Sequence, residues 1–136
     1  MASMTLEDWQ RIHHFKPEEF SKPFLLEKDL IFKLDIMREL AKVSFVVTSD
    51  YGKEGHVKDS LHPYGKAIDG YFKGMDLLDQ FIIASRFFTG IGVYPFWTHP
   101  GLHVDIRSIL NITSPEARWW RDKNGKYFPL TKEAFK

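Results

Sequence analysis

Apolar positions recur along the chain with two periods, and the two alternate. Leu26, Leu30, Leu34, Met37 and Leu40 recur at helical spacing and predict a helix from about Leu26 to Val43. Leu77, Leu78, Phe81, Ile82 and Ser85 form a second such stripe between about Met75 and Phe88. Between them, Phe45 to Thr48 is rich in β-branched residues and Lys66 to Phe72 alternates, so both read as strands. Alternation returns from Leu102 to Arg107, with Leu102, Val104 and Ile106 on the apolar face and His103, Asp105 and Arg107 on the other.

The ends follow from local signals. Thr5 with Asp8 three residues on resembles a capping box and starts a short helix running to His14. Pro17-Glu18-Glu19-Phe20 reads as a helical turn with proline at its first position. Asp50 to Leu61 is polar and rich in glycine and lysine, a long loop. Gly90, Gly92, Pro95 and Pro100 interrupt the segment before the His103 strand. Asn124-Gly125 sets a hairpin turn in an aromatic tail, where Trp119 and Trp120 are expected in the core or over the domain edge. The expected fold is α+β, a small mainly antiparallel sheet packed with helices, in a single domain over residues 1–136.

Composition narrows the function classes. Hydrophobic residues make up 43% and aromatic residues 15%, so core material is ample and a metal need not be the only thing holding the chain folded. Nineteen basic residues against eighteen acidic ones leave a net charge of +1, which argues against a dedicated nucleic-acid binder. There is no cysteine, so disulfides and thiolate metal sites are excluded. The amino terminus lacks a basic region followed by an apolar stretch, and no run is long enough to span a membrane. The expectation is a protein cytoplasmic as synthesised.

The chemistry concentrates in Ser60-Leu-His62-Pro-Tyr-Gly65-Lys-Ala67-Ile-Asp69 and in His103-Val-Asp105. Gly65 lets the chain turn, bringing His62 back over the strand face that carries Asp69. His62, Asp69 and His103 then make a set of two nitrogens and one oxygen, which suits zinc with an open fourth position. Without a metal, the same His-x-Asp pair would be a hydrogen-bonded tautomer lock. His13 and His14 are expected to be structural, and His56 solvated.

The pattern Ser-x-His-x-x-Gly-x-Ala-x-Asp followed by His-x-Asp resembles family M15 of the zinc peptidases, the D-alanyl-D-alanine carboxypeptidases and phage endolysins. The likeness continues through Phe15-Lys-Pro-Glu-Glu-Phe20, Val47-Thr48-Ser49, Gly92-Val-Tyr94-Pro95 and Arg118-Trp119-Trp120. The resemblance implies zinc on His62, Asp69 and His103 and hydrolysis of amide bonds in the peptide stems of bacterial peptidoglycan, by a carboxypeptidase or an endopeptidase. It also has departures. Many members carry a general-base Glu three residues before the last ligand, where this chain has Pro100, and others a His two residues before it, where it has Gly101. The Arg that grips a substrate carboxylate after Thr-Ser-x-Tyr is missing, with only Lys53 nearby.

Asp105 and then His99 are the candidate catalytic bases, with Asp105 alternatively orienting a ligand. Arg107 is the candidate substrate grip, or else pairs structurally with Asp105, and Ser60 is expected to hydrogen-bond the site. The alternative function is a non-catalytic, zinc-stabilised binding module of the same fold, as in the hedgehog signalling domain, which resembles these peptidases.

Overall fold

The apolar stripe of the long helix is what the sheet is built against. In the computed structural model, which describes residues 2–51, 64–107 and 117–136, helix α2 runs Lys28–Ala41. It buries Leu30, Ile31, Leu34 and Met37 and ends at Lys42, which takes a left-handed conformation. The predicted stripe overshoots at both ends. Leu26 is buried but lies before the helix, its carbonyl accepting from Met4 N at 2.9 Å, and Leu40 is exposed.

Helix α1 is Leu6–Gln10, opened by the expected Thr5–Asp8 capping box. It stops short of His14 because the amides of His13 and His14 donate instead to the Asp35 carboxylate on α2, at 3.0 and 2.8 Å. Pro17–Glu19 and Pro23–Leu25 are single 3-10 turns, and Lys132–Phe135 is another at the far end.

Strands β1 (Phe45–Ser49), β2 (Ala67–Phe72), β3 (Gly90–Tyr94), β4 (Gly101–Asp105), β5 (Ala117–Arg121) and β6 (Tyr127–Pro129) form one six-stranded sheet in the order β1-β2-β4-β3-β5-β6. Every pairing is antiparallel except β3 with β5. The fold is α+β. The expected strands and the Asn124-Gly125 hairpin are present, but β3 is an addition to the expectation. Its Gly-Ile-Gly-Val-Tyr sequence is an alternation in which the glycines occupy one face, and Ile91 and Val93 are wholly buried on the other.

Helix α3, Leu77–Ala84, is shorter than its stripe implied and rotated from it. Leu78 and Ile82 are exposed, and the buried face carries Gln80 and Ala84. Gln80 is polar but fully matched. Its Oε1 accepts from Phe72 N at 3.1 Å, and its Nε2 donates to the carbonyls of Met75 at 2.9 Å and Pro100 at 3.3 Å. One side chain thus ties the end of β2 to the start of β4.

The core lies between the two longer helices and one sheet face, where Phe45, Ile68, Phe72, Ile91, Val93, Leu102 and Val104 are buried. The opposite face carries Asp69, His103, Asp105 and Trp119. No helix among the described residues is long and apolar enough to cross a membrane.

Replacing Gln80 with Leu removes the acceptor for the Phe72 amide and frees two carbonyls in an apolar setting. Gln80→Leu should lower stability by about 2–3 kcal/mol in urea unfolding. A variant within 0.5 kcal/mol of wild type on that scale would show that the three bonds do not hold the strand ends.

Candidate metal centre

Register places the chemistry. Asp69 on β2 pairs with His103 on β4, His103 with Gly92 on β3, and Gly92 with Trp119 on β5, so these residues form one row across four strands. The adjacent row is Ala67, Asp105, Gly90 and Ala117. Small residues flank the large polar ones, and the contacts show why. A Cβ at Gly90 would collide with the Asp105 carboxylate, and one at Gly92 with the Trp119 indole.

His103 is buried and engaged at both ring nitrogens. Its Nδ1 lies 2.9 Å from Asp69 Oδ1, and its Nε2 lies 2.7 Å from Asp105 Oδ2. An ionised carboxylate only accepts, so each contact calls for a proton on the ring. Burial works against the charged ring, yet the bonds from Asp105 and Asp69 outweigh it and push the His103 pKa up to about 9.

Asp105 is fully buried. Oδ2 accepts from His103 Nε2 and from Arg107 Nη2 at 2.6 Å, and Oδ1 accepts from Arg107 Nε at 2.9 Å and Arg107 N at 3.1 Å. Burial alone would raise its pKa, but the His103 and Arg107 bonds hold it well below the usual carboxylate range. These bonds fill all of the roughly four lone-pair sites of a carboxylate. Asp105 therefore has no acceptor site left for the proton of an attacking water, and its geometry is that of an orienting group. Arg107 is likewise engaged. It clamps Asp105 with its side chain and lies 5.0 Å from the centre of the Trp119 ring, matching the structural pairing weighed against a substrate grip.

His99 is exposed in the segment between β3 and β4 and stacks on Tyr71, ring centres 4.6 Å apart. Tyr71 shares the face of Asp69, so His99 stands at the rim of the same surface. Pro100 is taken up by its carbonyl bond to Gln80, and a Cβ at Gly101 would run into the Gly70 carbonyl. Gly101 is therefore closed to a side chain by the neighbouring strand.

Trp119 is a site residue that the sequence reading missed. Its ring centre lies 5.2 Å from that of His103, and its Nε1 donates to the Tyr94 hydroxyl at 3.3 Å. Trp120, one residue on, packs toward the core instead. The signal was available in parity, since neighbours on a strand take opposite faces.

His62, Ser60, Lys53 and His56 lie outside the described residues. Gly65 does take a left-handed φ of 70°, and its carbonyl accepts from Glu27 N at 2.8 Å, anchoring the turn that leads into β2. Among the described residues no group of three or more His, Asp or Glu is arranged to hold a metal. Asp69 and His103 nonetheless fit as two members of such a set. Ligand atoms on a tetrahedral zinc with bonds of about 2.0–2.1 Å lie about 3.3 Å apart, close to the 2.9 Å between Asp69 Oδ1 and His103 Nδ1. Asp105 on Nε2 supplies the carboxylate that metal-bound imidazoles characteristically carry on their second nitrogen.

The raised His103 pKa makes stability pH-dependent in chelator-treated protein. A group raised from its ordinary 6.5 to about 9 contributes fully below about pH 6.5 and loses that contribution as pH rises through about 9. Urea midpoints should therefore fall between pH 6.5 and 9.5, by a stability of about 3 kcal/mol. His103→Gln should flatten that slope, and an unchanged slope in the variant would assign the effect elsewhere.

No family model, curated protein or solved structure matches the chain, so its function is argued from this geometry and from the motif.

Proposed function

We propose that the chain is a zinc-dependent peptidase acting on peptidoglycan stem peptides, as the motif it resembles implies. The observation that carries this is the His103 ring, with a carboxylate locking Nε2 while Nδ1 faces a second carboxylate at ligand-like separation. Under this reading His62, Asp69 and His103 hold the metal. Bound zinc supplies Lewis acidity and a water acidified to a pKa of about 7.

The remaining work belongs to the chain. Asp105 fixes the tautomer and the plane of His103, and Arg107 keeps Asp105 ionised and stationary. Trp119 covers the Arg107 side of the ring and limits water there. His99 is the proton acceptor in this scheme, taking a proton at its imidazole from the rim and passing it to the leaving amine.

A second reading has its own support. Asp105 is saturated and Gly101 has no room for a side chain, so the ligand-bearing strand offers no base. That favours a zinc-stabilised module that binds wall peptides without cutting them.

Purified protein should carry about one zinc per chain, and His62→Ala, Asp69→Ala and His103→Ala should each lose it. Full zinc retention in His103→Ala would refute the ligand set. For the enzyme, His99→Gln should cut turnover by about a hundredfold with zinc retained, read by mass spectrometry of peptidoglycan fragments. Zinc-loaded wild type that binds wall peptide but cleaves none of it would establish the module instead.

A further inference from the structure

The hairpin that ends the sheet places charges of both signs beside an aromatic surface. Tyr94 at the end of β3, Phe96 and Trp97 just beyond it, and Arg121, Asp122 and Lys123 at the β5 turn line a groove of about 150 Å³. A space of about that volume holds a single six-membered ring. The aromatic wall is rigid. Tyr94 and Trp97 stack with ring centres 4.1 Å apart and planes 9° from parallel, so each keeps only its other face or its edge for the groove. The Tyr94 hydroxyl accepts from Trp119 Nε1 at 3.3 Å, which joins this wall to the row that holds His103.

The polar wall is fixed as well. Asp122 Oδ1 accepts from the amides of Asn124 and Lys126, both at 2.9 Å, which pins the carboxylate and leaves Oδ2 outside those bonds. The Arg121 guanidinium lies over the Tyr127 ring, 5.6 Å from its centre, and against the turn at Gly125. Gly125 takes a φ of 83°, and a Cβ there would stand 3.1 Å from Arg121 Nη2. Among the described residues the ion pairs involve other side chains than Arg121, Asp122 and Lys123.

Each class of ligand meets these walls differently. A carboxylate meets Asp122, and a cation meets Arg121 and Lys123. A wholly apolar group would strip water from three charges and give nothing back. A sugar ring satisfies every wall. It is neutral, its hydroxyls both donate and accept, and its C–H face is an apolar surface for an aromatic ring.

We infer that the groove is a binding subsite for one neutral pyranose unit, packed by its C–H face on the Tyr94–Trp97 pair and hydrogen-bonded by Arg121, Asp122 and Lys123. The subsite goes beyond the peptidase reading and stands on the groove alone. Only its natural ligand rests on that reading, which makes it the glycan strand of N-acetylated pyranoses from which stem peptides hang.

The test titrates the whole chain with a linear tetramer of N-acetylglucosamine, a linear tetramer of glucose and a short poly-glutamate peptide as the anionic control. Calorimetry gives affinity, and saturation-transfer NMR from the aromatic protons shows which ligand protons touch the rings. The N-acetylated tetramer should bind through its ring C–H protons, equally with zinc and after chelation, and the acidic peptide should not compete. Trp97→Ala should weaken the sugar about tenfold, with Trp97→Phe keeping most of the affinity. Asp122→Asn/Lys123→Gln, which keeps an oxygen for the turn amides, should weaken it about fivefold. Absence of sugar binding in wild type overturns the subsite, as does displacement of the sugar by the acidic peptide. Affinity undiminished in both Trp97→Ala and the double variant overturns its assignment to this groove. Tighter binding of the glucose tetramer overturns the glycan strand as ligand while the subsite stands. Sugar binding by a zinc-loaded chain that cuts no wall peptide counts against the peptidase reading alone.

Discussion

Everything on the polar face depends on one buried carboxylate. Removing an ionised Asp from water costs several kcal/mol, and that cost is tolerable only where donors replace the lost hydration. Asp105 receives its donors from two residues on its own segment, His103 and Arg107. The local sequence His-Val-Asp-Ile-Arg is thus a self-contained solution, three polar residues of one parity with apolar residues between them. Losing the Arg107 side chain would remove two of the four donors to this buried charge, which is why a well-packed pairing accounts for this residue better than an exposed grip does.

The pairing also divides the chemistry. Groups on the strands are held by several bonds each and cannot move without breaking them, which suits ligands and orienting residues. His99, at the rim, is exposed and stacks on Tyr71, so its ring stands open to solvent. Small residues make the division workable. Gly90 and Gly92 leave room for Asp105 and Trp119, so the neighbouring strand supplies space instead of side chains.

What could be read from sequence follows the same physics. Alternation from Leu102 onward gave the faces of β4 correctly, because burial on one side forces period two. The juxtaposition of Asp69 with His103 was legible as a shared face, but the pairing register that makes them direct neighbours is a tertiary fact. β3 escaped because glycine reads as a breaker unless its partner across the sheet is known to need the space. The rotation of α3 escaped because Gln80 reads as surface, and its three backbone bonds appear only once β2 and β4 are beside each other. The saturation of Asp105 escaped for a like reason, since residue type names the acceptor but not how many donors reach it.

Those backbone bonds also fix the register of the strands. A strand that slips by one residue sends its whole polar set to the opposite face, and here that would put His103 and Asp105 among the residues packed beneath the two longer helices. The core opposes it through Leu102 and Val104, which are wholly buried between Ile68 on one side and Ile91 and Val93 on the other. Gln80 opposes it at the strand ends, bonding the Phe72 amide and the Pro100 carbonyl from one side chain. The polar row opposes it once more, because Asp105 finds its cavity only opposite Gly90. Three separate interactions thus demand one register, and the alignment of Asp69 with His103 is the consequence they share.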